Sequence, residues 1–97
     1  MVDRAALSSA IAEFLSYVSI EKGLSKNTIR AYSGDLHKLQ EFMVLQDIEL
    51  NQIDPLVMDN FLGWLRGAGG GRKPSSESTN SRAVVTVRNL IKFQSRA

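Results

Sequence analysis

Apolar positions recur along this chain with the period of an α-helix, in four separate blocks. Leu7, Ile11, Phe14, Leu15 and Val18 keep the i, i+4, i+7, i+8, i+11 spacing of one helix face, which predicts a first helix over residues 4–21. Ile29, Tyr32, Leu36, Leu39 and Met43 predict a second helix over residues 26–44. Its interior contains Gly34, which costs about 1 kcal/mol relative to alanine and suggests close approach by a neighbouring helix or by a ligand, or simply a weak spot. The third block turns Val57, Met58, Phe61, Leu62 and Leu65 inward, with Trp64 flanking that stripe. The fourth, reaching about residue 94, turns Val84, Val87 and Ile91 inward, joined by Ala83 and Leu90. No segment sustains the two-residue alternation of a strand. The expected class is therefore all-α: a compact bundle of four main helices.

Punctuation between the blocks supports these limits. Gly23 suits the left-handed residue beyond a helix C-terminus, and Ser25 is a good N-cap for the helix that follows. Asp54-Pro55 opens the third helix, because Asp can cap and Pro is preorganised for the first helical position. Gly67 ends it. The run Gly67-Ala68-Gly69-Gly70-Gly71-Arg72-Lys73-Pro74-Ser75-Ser76 predicts a flexible, basic loop, and Ser76 or Ser78 can cap the fourth helix. The glycines do not form a phosphate-cradling loop, since no Gly-Lys-Ser/Thr follows and no strand precedes.

A length of 97 residues and a hydrophobic fraction of 43% fit one small domain over residues 1–97, too short to carry a separate catalytic module. No apolar run approaches the roughly 20 residues needed to span a bilayer, and the N-terminus lacks the regions of a signal peptide. With no cysteine, disulfides and thiol chemistry are excluded. A cytoplasmic protein is expected. The net charge of +2 hides a strong polarity: residues 1–40 carry +1, residues 41–65 carry −5 and residues 66–97 carry +6. Such a distribution suits a protein with one face on a polyanion and another on water or a protein partner, although an uneven solvated surface produces the same pattern.

Candidate chemistry lies on two polar stripes. Lys26, Arg30, Ser33 and His37 fall within about 60–80° of arc on the second helix, apart from Ile29, Leu36 and Met43. The first turn of that helix also holds Asn27 and Thr28, and its two cations oppose the helix dipole unless an anion such as phosphate meets them there. On the fourth helix Arg82, Thr86 and Asn89 follow i, i+4, i+7. Cations suit phosphate or guanine, Asn suits adenine, and a Thr methyl suits the thymine methyl. Arg88 and Lys92 lie nearer the other edge. Asp35 sits in the arc of Tyr32, Leu39 and Phe42, where a carboxylate is costly unless paired, so a bond to Arg82 or Arg88 is expected. His37, the one histidine, has no companions for a metal site, and no cofactor, metal or small-molecule ligand is expected.

Lys22-Gly23-Leu24-Ser25, Thr28, Tyr32, Asp35-Leu36 and Phe42 resemble the start of the core-binding domain of tyrosine recombinases, in particular Xer-type and phage-integrase-like members. Residues 81–93, Ser-Arg-Ala-Val-Val-Thr-Val-Arg-Asn-Leu-Ile-Lys-Phe, resemble that domain's last long helix. The resemblance covers roughly residues 11–93, and the glycine-rich loop is longer than in the family pattern. It implies a SAM-like fold whose second and fourth helices pack against double-stranded DNA in the major groove, through Lys26, Asn27, Thr28, Arg30, Ser33, His37, Arg82, Thr86 and Asn89. In that family a separate C-terminal domain holds the tyrosine nucleophile, and the full protein works as a synaptic tetramer of protomers. Tyr17 and Tyr32 are accordingly packing residues, and the chain alone is not an enzyme. The competing class is a helical protein-interaction domain of death-fold or SAM type, docking an acidic patch around Asp47, Glu49, Asp54 and Asp59 on a basic one. A repressor-like helix-turn-helix is a third possibility, but the helix after Gly23-Leu24 is longer than usual for that motif.

Overall fold

The computed structural model describes residues 3–68 and 77–95. Four helices form: α1 (Arg4–Ile20), α2 (Lys26–Gln46), α3 (Pro55–Gly63) and α4 (Glu77–Ser95). The described residues contain no strand. This is the all-α bundle that the periodicity predicts.

The starts of α1, α2 and α3 each rest on a short polar side chain that satisfies an otherwise unpaired helix N–H. Asp3 accepts from the Ala6 N–H at 3.0 Å, Ser25 from the Thr28 N–H at 3.2 Å, and Asp54 from the Val57 N–H at 2.8 Å. Pro55 occupies the first turn of α3 as expected. Glu77 is already helical, so Ser78 lies inside α4 rather than at its cap, and Ser76 lies outside the described residues. Gly23 takes φ 62°, the left-handed turn foreseen between α1 and α2. The second helix runs two residues past the predicted 44, because Asp47 adopts φ 55° and closes it. The Asp47 and Ile48 N–H groups reach back to the Val44 and Met43 carbonyls, a Schellman closure with Ile48 packed on the core. A 3₁₀ turn at Leu50–Gln52, absent from the sequence reading, bridges to α3 and is tied by the Glu49 N–H to Gln52 Oε1 at 2.8 Å.

α2 is the central element, packed against both α1 and α4. Leu7, Phe14 and Val18 from α1, Leu36, Leu39, Phe42 and Met43 from α2, and Ala83, Val87 and Leu90 from α4 make one core with Phe61, Trp64 and Leu65. The helix after Gly63 widens into a π-type turn over Trp64–Ala68 that ends at Gly67, φ 95°. Phe61, Trp64 and Leu65 keep the i, i+3, i+4 spacing of one helix face, and Trp64 is buried within it rather than flanking. There it closes an aromatic cluster: ring centroids of Phe42 and Trp64 lie 5.6 Å apart, and those of Phe42 and Phe61 5.4 Å. Conversely Val57, Met58 and Leu62, expected inward, are only half-buried. A Cβ built on Gly34 meets nothing within 4 Å, so no neighbouring helix explains that glycine.

Candidate nucleic-acid interface

The polar residues of α2 and α4 divide into three groups by what holds them. The first is an open row. Lys26, Asn27, Arg30, Ser33 and His37 are all exposed, and Thr28 is half-buried against the Ser25 cap, its hydroxyl 3.0 Å from the Ser25 hydroxyl. Lys26, Arg30 and Ser33 border a shallow groove whose other wall includes Leu15 and Ser19 of α1. Farther along the same edge Gln40 donates to the Ser8 hydroxyl at 3.1 Å. This row therefore follows the α1 side of α2. His37, 71% exposed, lies 3.2 Å from Glu41 one turn on.

The second group joins α2 to α4. Asp35, 1% exposed, receives a side-on fork from Arg82: Nε donates to Oδ2 and Nη2 to Oδ1, both at 2.9 Å. The guanidinium-bearing side chain remains 43% exposed. This hydrogen bonding raises the Arg82 pKa above its ordinary value, partly opposed by burial. The expectation that Asp35 pairs across helices is met, with Arg82 rather than Arg88. Within the pair the carboxylate is the buried partner and the cation reaches solvent.

Thr86 is a correction to the sequence reading. It is fully buried, and its hydroxyl lies within donating distance of Asp35 Oδ2 at 3.2 Å and of the Arg82 carbonyl at 2.9 Å. A methyl enclosed beside Leu90 and Val87 in the helix packing has no route to a base, so Thr86 leaves the list of groove-facing residues. Its chemistry is structural: it gives the buried carboxylate a further hydrogen bond.

The third group lines a cleft between the C-terminal half of α1, the start of α2 and the end of α4. Asn89, Lys22 and Lys92 stand at its polar positions, and Tyr17, Tyr32 and Phe93 among its apolar ones. The Tyr17 and Phe93 ring centroids are 4.9 Å apart, and Lys22 Nζ sits 5.9 Å from the Tyr17 centroid. Asn89 is half-buried here and reaches the surface from the cleft wall. Both tyrosines pack, as foreseen.

Five positions separate Arg30 from Asp35, about 140° around the helix. The row on the α1 edge and the Arg82 seam are thus not one stripe. The arc between them holds Asn27, Ala31, Gly34 and Lys38, of which the sequence reading selected only Asn27. Gly34 in this arc was singled out for close approach, but Ala31 and Lys38 were not chosen as contact residues. Of the acids of residues 41–65, Glu41 lies toward the other end of α2, Asp47, Glu49 and Asp54 in the connection to α3, and Asp59 on α3. Among the described residues no cluster of His, Cys, Asp or Glu could hold a metal ion, and no helix is long and apolar enough to cross a membrane.

A family model, the phage integrase N-terminal SAM-like domain, matches residues 11–97, and the chain belongs to that family. Curated relatives include the tyrosine recombinase XerD of Staphylococcus saprophyticus, 35% identical over 88 residues, and XerD of Staphylococcus aureus strain Mu50, also 35% identical over 88 residues. The match takes in 90% of this chain but spans 28% of the length of those relatives. No solved structure matches the chain significantly.

Proposed function

We propose that this domain is the DNA-binding module of a site-specific tyrosine recombinase or integrase and that it grips duplex DNA mainly through α2 and α4. The observation that carries the reading is the open row Lys26, Arg30, Ser33 and His37, fully on the surface of the element that organises the core. Lys26, the first residue of α2, and Arg30, one turn on, oppose the helix dipole in water. Phosphate placed there would be attracted by the dipole, the free N–H groups and the cations together. Membership of the integrase N-terminal family supports the same partner. In the whole protein, a separate catalytic domain would cleave DNA through a tyrosine, and protomers would assemble as a synaptic tetramer in the cytoplasm. This domain would supply grip rather than chemistry.

The test is binding of a mixed-sequence duplex at a series of salt concentrations, read by fluorescence anisotropy. With about four to six cations on phosphates, log K falls against log salt with a slope of roughly −4 to −5. Lys26→Ala with Arg30→Ala should flatten that slope by about 2 while leaving the far-UV spectrum unchanged. Asp59→Ala, on the exposed acidic side of α3, should not weaken binding. No binding at low salt to any duplex, together with self-association in sedimentation, would replace this reading with the protein-interaction one.

A further inference from the structure

Arg82 differs from the basic residues of the open row because its guanidinium is already held. Its Nε and Nη2 engage both Asp35 oxygens at 2.9 Å, and that carboxylate is fixed inside the helix packing at 1% exposure. Thr86 approaches the same carboxylate from within the bundle. An arginine has five N–H donors. The side-on fork uses two of them, leaving both on Nη1 and the outer one on Nη2. With the side chain 43% exposed, this remaining edge belongs to the surface where α2 and α4 meet.

Two physical consequences follow. The first concerns charge. A free cation contacting phosphate contributes about 0.9 to the salt slope through counterion release. A guanidinium compensated by a carboxylate at hydrogen-bond distance has little net charge to offer, so it is a poor phosphate anchor. The second concerns direction. The fork freezes the plane of the guanidinium, so less side-chain freedom is lost when the outer edge binds. The two outer hydrogens, one on each Nη, match two adjacent acceptors in a plane, the pattern that guanine presents with O6 and N7 in the major groove. Directional donors with small net charge suit a base edge.

Building on the DNA-binding reading above, we propose that Arg82 is a specificity-determining residue that reads a guanine from the α2–α4 seam, with Asp35 and Thr86 as its positioning residues. Lys26 and Arg30, uncompensated and exposed, supply the sequence-independent attraction. The division of labour is between the compensated cation of the α2–α4 seam and the free cations on the α1 edge of α2.

The experiment selects binders of the full chain from duplexes with randomised positions, and measures salt slopes on a mixed-sequence duplex. The wild type should enrich guanine about tenfold at one position. Arg82→Lys keeps a cation but loses the planar fork: that enrichment should disappear, while the salt slope stays within about 0.3 of the wild type. Asp35→Asn frees the guanidinium charge: the slope should steepen by up to about 1 and the guanine preference should weaken. A purely structural pair would not steepen the slope, and Asp59→Asn controls for loss of an acid elsewhere. If Asp35→Asn does not fold, Arg82→Lys alone decides between the outcomes. Guanine enrichment that survives Arg82→Lys, or none in the wild type, overturns the proposal and leaves the DNA-binding reading standing. A wild-type chain that binds no duplex removes both.

Discussion

Truncating Arg82 and truncating Asp35 break the same ion pair, yet the two changes should not cost the same. Arg82→Ala strands a carboxylate that is 1% exposed, with the Thr86 hydroxyl as its remaining hydrogen-bond partner among the described residues. Breaking a buried pair in this direction costs about 3 kcal/mol. Asp35→Ala instead strands a side chain that is 43% exposed and can turn its charge into water. The loss is then the charge-assisted hydrogen bonds themselves, about 1.5 kcal/mol. The double variant removes the stranded carboxylate as well, so it should cost about as much as Asp35→Ala alone and less than Arg82→Ala alone. Adding a second truncation should therefore restore stability, which is a qualitative sign change. Urea unfolding followed by far-UV circular dichroism at neutral pH measures all three. For a chain of this size about 3 kcal/mol lowers Tm by about 12–20 °C, well outside error. The reasoning fails if Asp35→Ala is the costlier single change, or if the double variant is less stable than Arg82→Ala.

Gly34→Ala should raise stability by about 0.5–1 kcal/mol, since the position is helical and a Cβ there meets nothing within 4 Å. A lower Tm would show that the backbone at Gly34 is constrained in a way the packing does not reveal. Glu77 is held below the usual carboxylate range first by its hydrogen bonds to Arg66 and then by that charge. Its contribution is therefore present above the unfolded-state pKa and lost as pH falls through the folded one. The Tm difference between wild type and Glu77→Gln should accordingly be small at neutral pH, shrink in added salt, and vanish below the carboxylate range. A difference that persists in acid would place its origin elsewhere.

The fold was largely legible because its signals are local. Ser25, Asp54-Pro55 and Gly23 mark ends through side-chain and backbone preferences that need no partner, and the structure uses each of them as read. Asp47 escaped notice because a left-handed Asp looks like any acidic loop residue until its N–H groups are traced back to Val44 and Met43. Trp64 was set at the edge of its stripe because Val57, Met58 and Leu62 were counted inward; with those half-buried, the buried face centres on Phe61, Trp64 and Leu65. The site was less legible for a related reason. A buried polar residue and an exposed one carry the same mark in an amphipathic pattern, so Thr86 passed for a surface residue. Only the position of Asp35 on another helix separates the two cases. Asp35 itself was anticipated because a carboxylate in an apolar arc implies a partner. Which end of the pair faces water depends on how the helices cross, and no single-helix argument contains that angle.

The join between α3 and α4 has a consequence for how such domains change over time. Arg66 grips Glu77 with two hydrogen bonds, at 3.0 and 3.1 Å, so the chain leaves one helix and enters the next through a closed clasp. The entropy of closing a loop grows slowly with its length, by about 0.6 kcal/mol per doubling. Residues can therefore be gained or lost between the two clasped ends without asking Phe61, Trp64 or Leu90 to repack. The glycine-rich stretch of residues 67–76 falls between those two ends. The span between Arg66 and Glu77 is therefore a natural point for insertion in the laboratory, while the helices on either side keep their register.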